Sequence, residues 1–514
     1  MKYSTKIAKE SIISFIGMGI GDAVLYIFIA LLARLVGLEY LGIYSLANSV
    51  TRLAEVFGKV GLDAGLIRFI GNNQGKGKSN QINEDIRSTL KIGFIFSVAI
   101  MSIQIILSGW LVYCIFHGSP ILRTVIIVNA LTLPFCVLAI LAAAATQGFQ
   151  LLKYKVFVTN ILTPIVMLIS MIGCYYLFSA KMTIIAPVAI SSIVGFLCIL
   201  FFLKKMTGIR FFQIFRTQNN FEILKFSYPL MFVAAIDTLL HWMDIMMIGH
   251  FTNAETVGLY YPAIRTTGLL RLILVSLMSI TMPMISQLYA QRKMKEMGDV
   301  YKLTVRWIMT LAIPITIFFV LFPEKIMLLF GNQYLQAAPV LVISTVGIFV
   351  LLVTGIGSSI LTVIGYPKYN LVNSIIAFIT NFSLNSLWIP RYGIVGAAWA
   401  TLITYVVFGF LRSLEVWYFT KLHPLHLKLL KSIFSGIITF ILILSFKKYF
   451  MPYHTLITLS LAGFSTFLIY LVTLFLFKFD SDDKEVWKAF LIIGKTVKSR
   501  QPYSSTDEDP EIKS

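Results

Sequence analysis

The stretch from residue 12 to residue 47 reads IISFIGMGIGDAVLYIFIALLARLVGLEYLGIYSLA. Its first part, residues 12–36, carries only two charged residues, Asp22 and Arg34. A helix needs about 20 mainly apolar residues to cross the hydrocarbon core of a bilayer. Because the apolar residues follow one another instead of alternating with polar ones, this stretch predicts a membrane-spanning helix rather than a strand of a barrel.

The rest of the chain has the same character. Of its 514 residues, 58% are hydrophobic and 13% are charged, and the mean hydropathy is +0.84. Soluble domains carry about 25% charged residues, so this chain has roughly half the usual polar surface. The composition predicts an all-α integral membrane protein.

About fourteen segments are apolar and long enough to span, and they form two sets of six and a final pair. Spans 1 to 6 are predicted at 12–36, 41–70, 89–116, 120–147, 155–179 and 183–203. Spans 7 to 12 are predicted at 223–251, 256–288, 303–322, 335–364, 369–389 and 393–419. Spans 13 and 14 are predicted at 429–446 and 455–477.

The basic residues orient these spans. With fourteen crossings both termini lie on one side, and thirty of the 43 lysines and arginines fall on that side against seven on the other. Such an excess marks the cytoplasmic face. We therefore expect a multi-pass protein of the cell membrane with cytoplasmic N- and C-termini. The net charge of +20 follows from this topology, and no nucleic acid partner is expected.

The predicted domain organisation follows the span count. An N-terminal six-helix lobe covers 1–218, a C-terminal six-helix lobe covers 219–425, and an additional helix pair covers 426–480. Residues 481–514 form a cytoplasmic tail, in which 484–498 has the spacing of an amphipathic helix on the membrane surface. An ordinary solvated helix is the alternative for 484–498, and the acidic end of the tail, from Tyr503 onward, is predicted to be disordered.

An internal repeat relates the two lobes. Residues 34–47 read RLVGLEYLGIYSLA, and residues 250–263 read HFTNAETVGLYYPA. At a constant offset, Glu39 matches Glu255 and Gly42 matches Gly258, and Tyr44 and Ala47 match likewise. Because each lobe has six spans, both have the same orientation in the membrane. Transporters built from such parallel repeats bind substrate between the lobes and alternate access by rocking.

Six basic residues lie within spans, where charge is costly unless it faces a cavity or a partner. Guanidinium groups suit phosphate oxygens, so these residues are candidate contacts for an anionic headgroup such as a diphosphate. The alternative is local pairing, of Arg52 or Lys59 with Glu55 and of Arg412 with Glu415. The six candidates are Arg52, Lys59, Arg265, Arg271, Arg306 and Arg412.

Acidic residues within spans are fewer. Asp22 lies in span 1, and Asp237, His241 and Asp244 form one polar stripe on span 7 because they are spaced four and three apart. A carboxylate beside a histidine is suited to taking up a proton or a cation during a transport cycle. An interhelical hydrogen bond is the structural alternative.

Enzymatic motifs are absent from the sequence. It contains no phosphate-binding loop, no HExxH and no Gly-x-Ser-x-Gly, and no loop is large enough for a catalytic domain. We therefore expect a transporter and not an enzyme.

Three segments resemble a known family. Residues 33–47, residues 66–69 (LIRF) and residues 388–401 (WIPRYGIVGAAWAT) look like the polysaccharide-transporter, or Wzx-type flippase, branch of the multidrug/oligosaccharidyl-lipid/polysaccharide exporter superfamily. The resemblance implies a flippase that moves a polyprenyl-diphosphate-linked oligosaccharide from the cytoplasmic to the outer leaflet for cell-surface polysaccharide biosynthesis. Its implied partners are membrane lipids, a polysaccharide polymerase and glycosyltransferases.

The resemblance also implies a site for a coupling ion, Na+ or H+, and no other cofactor. The lipid II flippase relative holds sodium with an Asp of span 7 and with pairs of residues four apart in spans 11 and 12. The matching positions here look like Asp237, Asn381 with Asn385, and Ala397 with Thr401. Asn385 replaces an Asp of the family, which removes one negative charge and weakens the expectation of sodium coupling.

Two other functions remain open from the sequence. A cation-coupled multidrug or metabolite antiporter of the same fold would want an acidic or aromatic cavity for its cationic cargo. A membrane scaffold would not require buried guanidinium groups in repeat-related helices.

Overall fold

The structure is a computed structural model that describes residues 2–209, 211–217, 220–424 and 427–477. Every regular element in these residues is helical. The predicted surface helix at 484–498 and the acidic end of the tail lie outside the described residues. The α-helices run Lys2–Lys59, Leu62–Gly75, Ser79–Trp110, Pro120–Gly148, Leu152–Lys155, Thr163–Leu177, Ala180–Thr207, Phe221–Phe251, Ala254–Gly268, Arg271–Ala290, Met294–Leu321, Pro323–Met327, Ala338–Thr354, Ile356–Val363, Pro367–Thr420, Leu429–Phe450 and Thr455–Leu476.

Four short elements complete this list. Two are π-helical, Leu111–Ile115 and Val156–Leu162, and continue spans 3 and 5 without a break. The 3₁₀ elements are Phe211–Arg216 and Asn332–Ala337.

Twelve helical segments of the described chain are long and apolar enough to cross a membrane. Two of them, Ser14–Gly75 and Pro367–Thr420, have 62 and 54 residues. At 1.5 Å per residue each is about 80–90 Å long, far more than one crossing of a core about 30 Å thick. Each therefore accounts for two crossings, in agreement with the predicted arrangement of about fourteen.

The two long segments change direction at glycines. Gly37 has φ 81° and Gly393 has φ 57°. These positive values lie outside the right-handed helical region, and residues with a side chain rarely adopt them. Gly37 separates spans 1 and 2, and Gly393 separates spans 11 and 12. Gly37 lies in the connection predicted between spans 1 and 2, whereas Gly393 is the first residue of predicted span 12.

The helices of the first six spans pack on one another. Span 4 packs on the helices Lys2–Lys59 and Leu62–Gly75 and on spans 3 and 6, and span 5 packs on span 6. Among the next six, span 10 packs on spans 8 and 9 and on the helix Pro367–Thr420. Spans 13 and 14 pack on each other and on span 9. The exact lobe boundaries stay a prediction.

The lobes meet most extensively where the helix Lys2–Lys59 packs on Ala254–Gly268. At this crossing a methyl group added to Gly42 would overlap the carbonyl of Ala254, and one added to Gly258 would overlap the carbonyl of Leu38. These glycines are the repeat-related pair. Their lack of side chains is therefore what allows the two backbones to come this close.

A second contact between the lobes lies near the opposite ends of the helices. A methyl group on Gly65 of span 2 would overlap the hydroxyl of Ser227 on span 7. The two contacts lie at different levels of the lobe interface, because Gly42 belongs to the helix Lys2–Lys59 and Gly65 to the next helix, Leu62–Gly75.

Candidate functional site

An ion pair joins span 1 of one lobe to span 8 of the other. The guanidinium Nη2 of Arg265 donates to Oδ1 of Asp22 at 2.7 Å, and both side chains are about one third exposed. One residue further along span 8, the hydroxyl of Thr266 lies 3.1 Å from the hydroxyl of Tyr26. Arg265, predicted to bind the headgroup, and Asp22, predicted for ion coupling, are thus partners across the lobes.

Arg271 is the second basic residue of this region and lies about one and a half turns after Arg265 on span 8. Its Nη2 donates to the hydroxyl of Tyr405 at 2.8 Å, and its Nη1 lies 3.0 Å from Nδ1 of His241. Since a guanidinium can only donate, Nδ1 of His241 accepts. Both partners are neutral, and Nε of Arg271 is buried without a hydrogen bond partner in the described residues.

Arg52 belongs to the same region. Its Nη1 donates to Glu55 at 3.0 Å, so the alternative of local pairing is confirmed, yet half of its side chain stays accessible. Its helix, Lys2–Lys59, packs on Ala254–Gly268, the helix that carries Arg265. Arg52, Arg265 and Arg271 thus lie on two spans that pack together, and we call them the arginine cluster.

The other three basic candidates lie elsewhere. Lys59 pairs with Asp63 at 2.8 Å, across the chain's turn at Gly61, and not with Glu55. Arg306 is buried, with 7% of its surface exposed, in the helix Met294–Leu321. Arg412 lies 3.5 Å above the ring of Phe408 and interacts electrostatically with Asp237 and Glu415. The structure does not place these three in the arginine cluster.

A second polar cluster surrounds the carboxylate of Asp244, which is 9% exposed. Its Oδ2 accepts from the hydroxyls of Tyr260 at 2.7 Å and Thr401 at 2.6 Å. Its Oδ1 accepts from the amide of Asn385 at 2.8 Å. The amide of Asn385 also donates to Asn381 at 3.0 Å, and that of Asn381 donates to Thr401 at 3.1 Å.

This second cluster corrects the expected ion site. The carboxylate that meets Asn381, Asn385 and Thr401 is Asp244, whereas Asp237 lies two helical turns away and accepts from Ser374 at 3.4 Å. The side chain of Ala397 is buried and carries no ligand atom. Asp237 and Asp244 occupy the same face of span 7, so the sequence spacing could not distinguish them.

A small cavity connects the two clusters. It has a volume of about 40 Å³, enough for about three water molecules. Its lining includes Arg271 of the arginine cluster and its partner His241. It also includes Asp244, Asn381 and Thr401 of the second cluster.

Two tyrosines in these clusters were not predicted from the sequence. Tyr260 bonds to Asp244, and its position as the repeat partner of Tyr44 was a signal that could have pointed to it. Tyr405 lies four residues after Thr401 and therefore on the same face of span 12. Neither signal says which helix these side chains meet.

The fold is shared with solved membrane transporters. The lipid II flippase MurJ in an inward closed conformation superposes with a TM-score of 0.69 at 16% identity, covering 89% of this chain and 98% of that chain. A multidrug resistance MATE family transporter of the MOP superfamily, inward-facing, gives a TM-score of 0.63 at 15% identity, covering 76% and 95%. At these identities the likeness defines the fold.

A family model described as polysaccharide biosynthesis protein matches residues 31–339. That match covers more than half of the sequence, and the chain belongs to this family.

Curated relatives are archaeal. An uncharacterized membrane protein of Methanocaldococcus jannaschii is 28% identical over 280 residues, which are 53% of this chain and 54% of the relative. A probable low-salt glycan biosynthesis flippase of Haloferax volcanii is 29% identical over 167 residues, 32% of this chain and 35% of the relative. The chain spans about half or less of the length of these relatives.

Proposed function

We propose that this protein is a flippase that moves a polyprenyl-diphosphate-linked oligosaccharide from the cytoplasmic to the outer leaflet by alternating access. The observation that carries the proposal is Arg271, a partly buried cation held by two neutral groups. A buried charge without a counter-ion is costly, so the site is arranged for an anion that arrives from outside the protein.

The arginine cluster supplies the binding chemistry. Asp22 and Glu55 balance two of the three guanidinium charges, which leaves a net charge of +1 before substrate arrives. A diphosphate brings oxygens that accept the N–H groups of Arg265 and Arg271 that lack partners. When the headgroup takes the place of Asp22 on Arg265, the ion pair between the lobes breaks. Substrate binding is thereby linked to the movement of the lobes.

The names of two relatives support flippase activity, and one of them also names glycan biosynthesis. Besides the low-salt glycan biosynthesis flippase, a second probable flippase of Haloferax volcanii is 29% identical over 166 residues. A lipid-linked glycan also requires an enzyme that assembles it on the cytoplasmic side and one that consumes it outside. We therefore propose glycosyltransferases and a polysaccharide polymerase as partners in the cell membrane.

The antiporter alternative is disfavoured by the same residues. An organic cation entering between the lobes would meet three guanidinium groups, and like charges at short range repel strongly where water is scarce. A neutral or cationic drug would also leave Arg271 without an anion.

The cluster around Asp244 is the proposed site of the coupling ion. Asp244, Asn381, Asn385 and Thr401 together offer side-chain oxygens, the ligands that hard cations such as Na+ prefer. Oδ1 of Asn385 is fully buried and lacks a hydrogen bond partner in the described residues, so a cation fits this donor set. With a single carboxylate, the site can equally take a proton on Asp244.

The test is flipping in proteoliposomes. The probe is a short-chain polyprenyl diphosphate oligosaccharide with a fluorescent sugar, and an impermeant sugar-binding lectin reports its arrival outside. Arg265→Gln and Arg271→Gln should lower the flipping rate about tenfold or more, since a hydrogen bond to a charged group contributes about 1.5–3 kcal/mol. Arg123→Gln, which removes an exposed arginine, is the control.

Wild-type rates in both cluster variants would refute the assignment of the arginine cluster. Export of a rhodamine dye with no flipping would favour the antiporter. Imposed Na+ and H+ gradients identify the ion, and Asp244→Asn should abolish the response to whichever gradient accelerates the wild type.

A further inference from the structure

Two histidines from different lobes meet on the face that the charge pattern predicts to be extracellular. The chain has six histidines. His117 lies in the loop between spans 3 and 4, and His250 lies in the last turn of span 7. Their ring centroids are 6.0 Å apart with the planes tilted by 36°, and both side chains are exposed. The pair is therefore accessible to solutes.

The tautomer of His250 is fixed by its environment. Nδ1 lies 2.6 Å from the backbone carbonyl of Ile115, on the other lobe. A carbonyl oxygen only accepts, so Nδ1 carries the hydrogen, and the neutral ring has its free lone pair on Nε2. Histidines that bind metals are held in the same way, because a carbonyl that takes one ring N–H orients the other nitrogen toward the metal.

The backbone also holds His117 in place. Its φ is 45°, a left-handed value that is uncommon for a residue with a side chain. The neighbouring amides bond back to the end of span 3, Phe116 to Leu111 at 3.0 Å and Gly118 to Val112 at 2.8 Å. The loop thus presents the imidazole of His117 toward His250 at the cost of local strain.

The spacing of the rings suits a bridging metal. A Zn–N bond is about 2.0–2.1 Å long, and the ring centre lies on the order of 1 Å beyond the nitrogen, so two imidazoles on one ion have centroids about 5–6 Å apart. No group of three or more His, Cys, Asp or Glu side chains that could hold a metal occurs in the described part of the chain. Water would therefore complete the coordination.

We propose that His117 and His250 form an exchangeable site for a divalent transition metal such as Zn2+, Ni2+ or Cu2+. Imidazole nitrogen selects these ions over Mg2+ and Ca2+, which prefer oxygen. The bound ion links the loop of one lobe to the end of span 7 in the other. It stabilises the state in which the lobes touch at the outer face.

The experiment uses the full-length protein in detergent with its purification tag removed, because a polyhistidine tag binds the same ions. Cu2+ is added to one equivalent, and the electron paramagnetic resonance spectrum is recorded. The expected spectrum carries superhyperfine splitting from two imidazole nitrogens. In parallel, Zn2+ should raise the thermal midpoint of the protein, whereas Mg2+ should leave it unchanged.

Matched variants make the result specific. His117→Asn keeps a residue that tolerates a left-handed backbone, and His250→Gln keeps a side-chain donor within reach of the Ile115 carbonyl. Each should abolish the two-nitrogen spectrum and the Zn2+ effect. The control His454→Gln changes another exposed histidine, between spans 13 and 14, and should retain both.

A wild-type spectrum without two nitrogen ligands, or one that persists in the double variant, would overturn the proposal. A further measurement rests on the proposed flippase function. Zn2+ outside the liposome should slow flipping in the wild type and not in His117→Asn. If no flipping occurs at all, the proposed function fails while the spectra still decide the metal site.

Discussion

At the scale of the residue, the hydrogen bonds to Asp244 are the most specific feature of the interior. Three donors from spans 8, 11 and 12 converge on one carboxylate. Such a network holds four helices in one arrangement, because each donor lost would leave a buried polar group unsatisfied.

Thr401→Val tests this network. The substitution keeps the shape of the side chain and removes the 2.6 Å bond to Oδ2 of Asp244. We expect the protein to lose about 1 kcal/mol of stability, a typical value for a side-chain hydrogen bond within a membrane, and its thermal midpoint in detergent to fall.

The control for this change is Thr124→Val. The hydroxyl of Thr124 bonds only to the Pro120 carbonyl of its own helix, at 3.1 Å. Equal midpoints for the Thr401 and Thr124 variants would show that the network does not hold the helices together.

The sequence identified most residues of both clusters but not their partners. Arg52, Arg265 and Arg271 were predicted because charge is rare within spans. Their partners, Glu55, Asp22 and His241, depend on how the helices rotate about their axes, which hydropathy does not encode. The sequence also indicated Asp237, where the structure places Asp244, as the carboxylate beside Asn381 and Asn385. Residues seven apart share a helical face, so hydropathy and spacing do not distinguish the two aspartates.

At the scale of the element, the crossing of spans 2 and 8 depends on two glycines. Gly42→Ala and Gly258→Ala should each push the backbones apart, and the repeat predicts effects of similar size. We expect both variants to have lower thermal midpoints and slower flipping than the wild type, because the added methyl groups overlap backbone carbonyls rather than movable side chains.

Gly173→Ala is the matched control for this crossing. Gly173 lies within a helix of span 5, and a methyl group added there would have no neighbour within 4 Å. A wild-type midpoint for Gly42→Ala, or a loss of equal size for Gly173→Ala, would contradict the role of the crossing.

The elements themselves were predicted well, for a physical reason. Apolar length alone identifies a helix in lipid, because no other open structure satisfies the backbone there. The break at Gly37 falls between predicted spans 1 and 2, and the break at Gly393 falls on the first residue of predicted span 12. The π-helical turns within spans 3 and 5 were not predicted, since a π turn has no composition of its own.

At the scale of the whole molecule, the topology can be measured directly. In a variant without the four native cysteines, Lys181→Cys should react with an impermeant maleimide added outside intact cells, because Lys181 is exposed. Lys76→Cys should react only after the membrane is opened. The reason is that five predicted crossings separate residues 1–11 from Lys181 and two separate them from Lys76. The reverse labelling pattern would show that the protein has the opposite orientation in the membrane.

The contact of Gly42 with Gly258 has one more consequence. Each glycine meets the carbonyl of the residue four positions before the other, so the contact is reciprocal under the repeat offset. Reciprocal contacts of this kind are made by two copies of one chain across a two-fold axis. The crossing thus has the reciprocal geometry of a homodimer interface within a single polypeptide, as expected if an ancestral gene for a six-helix protein was duplicated and fused.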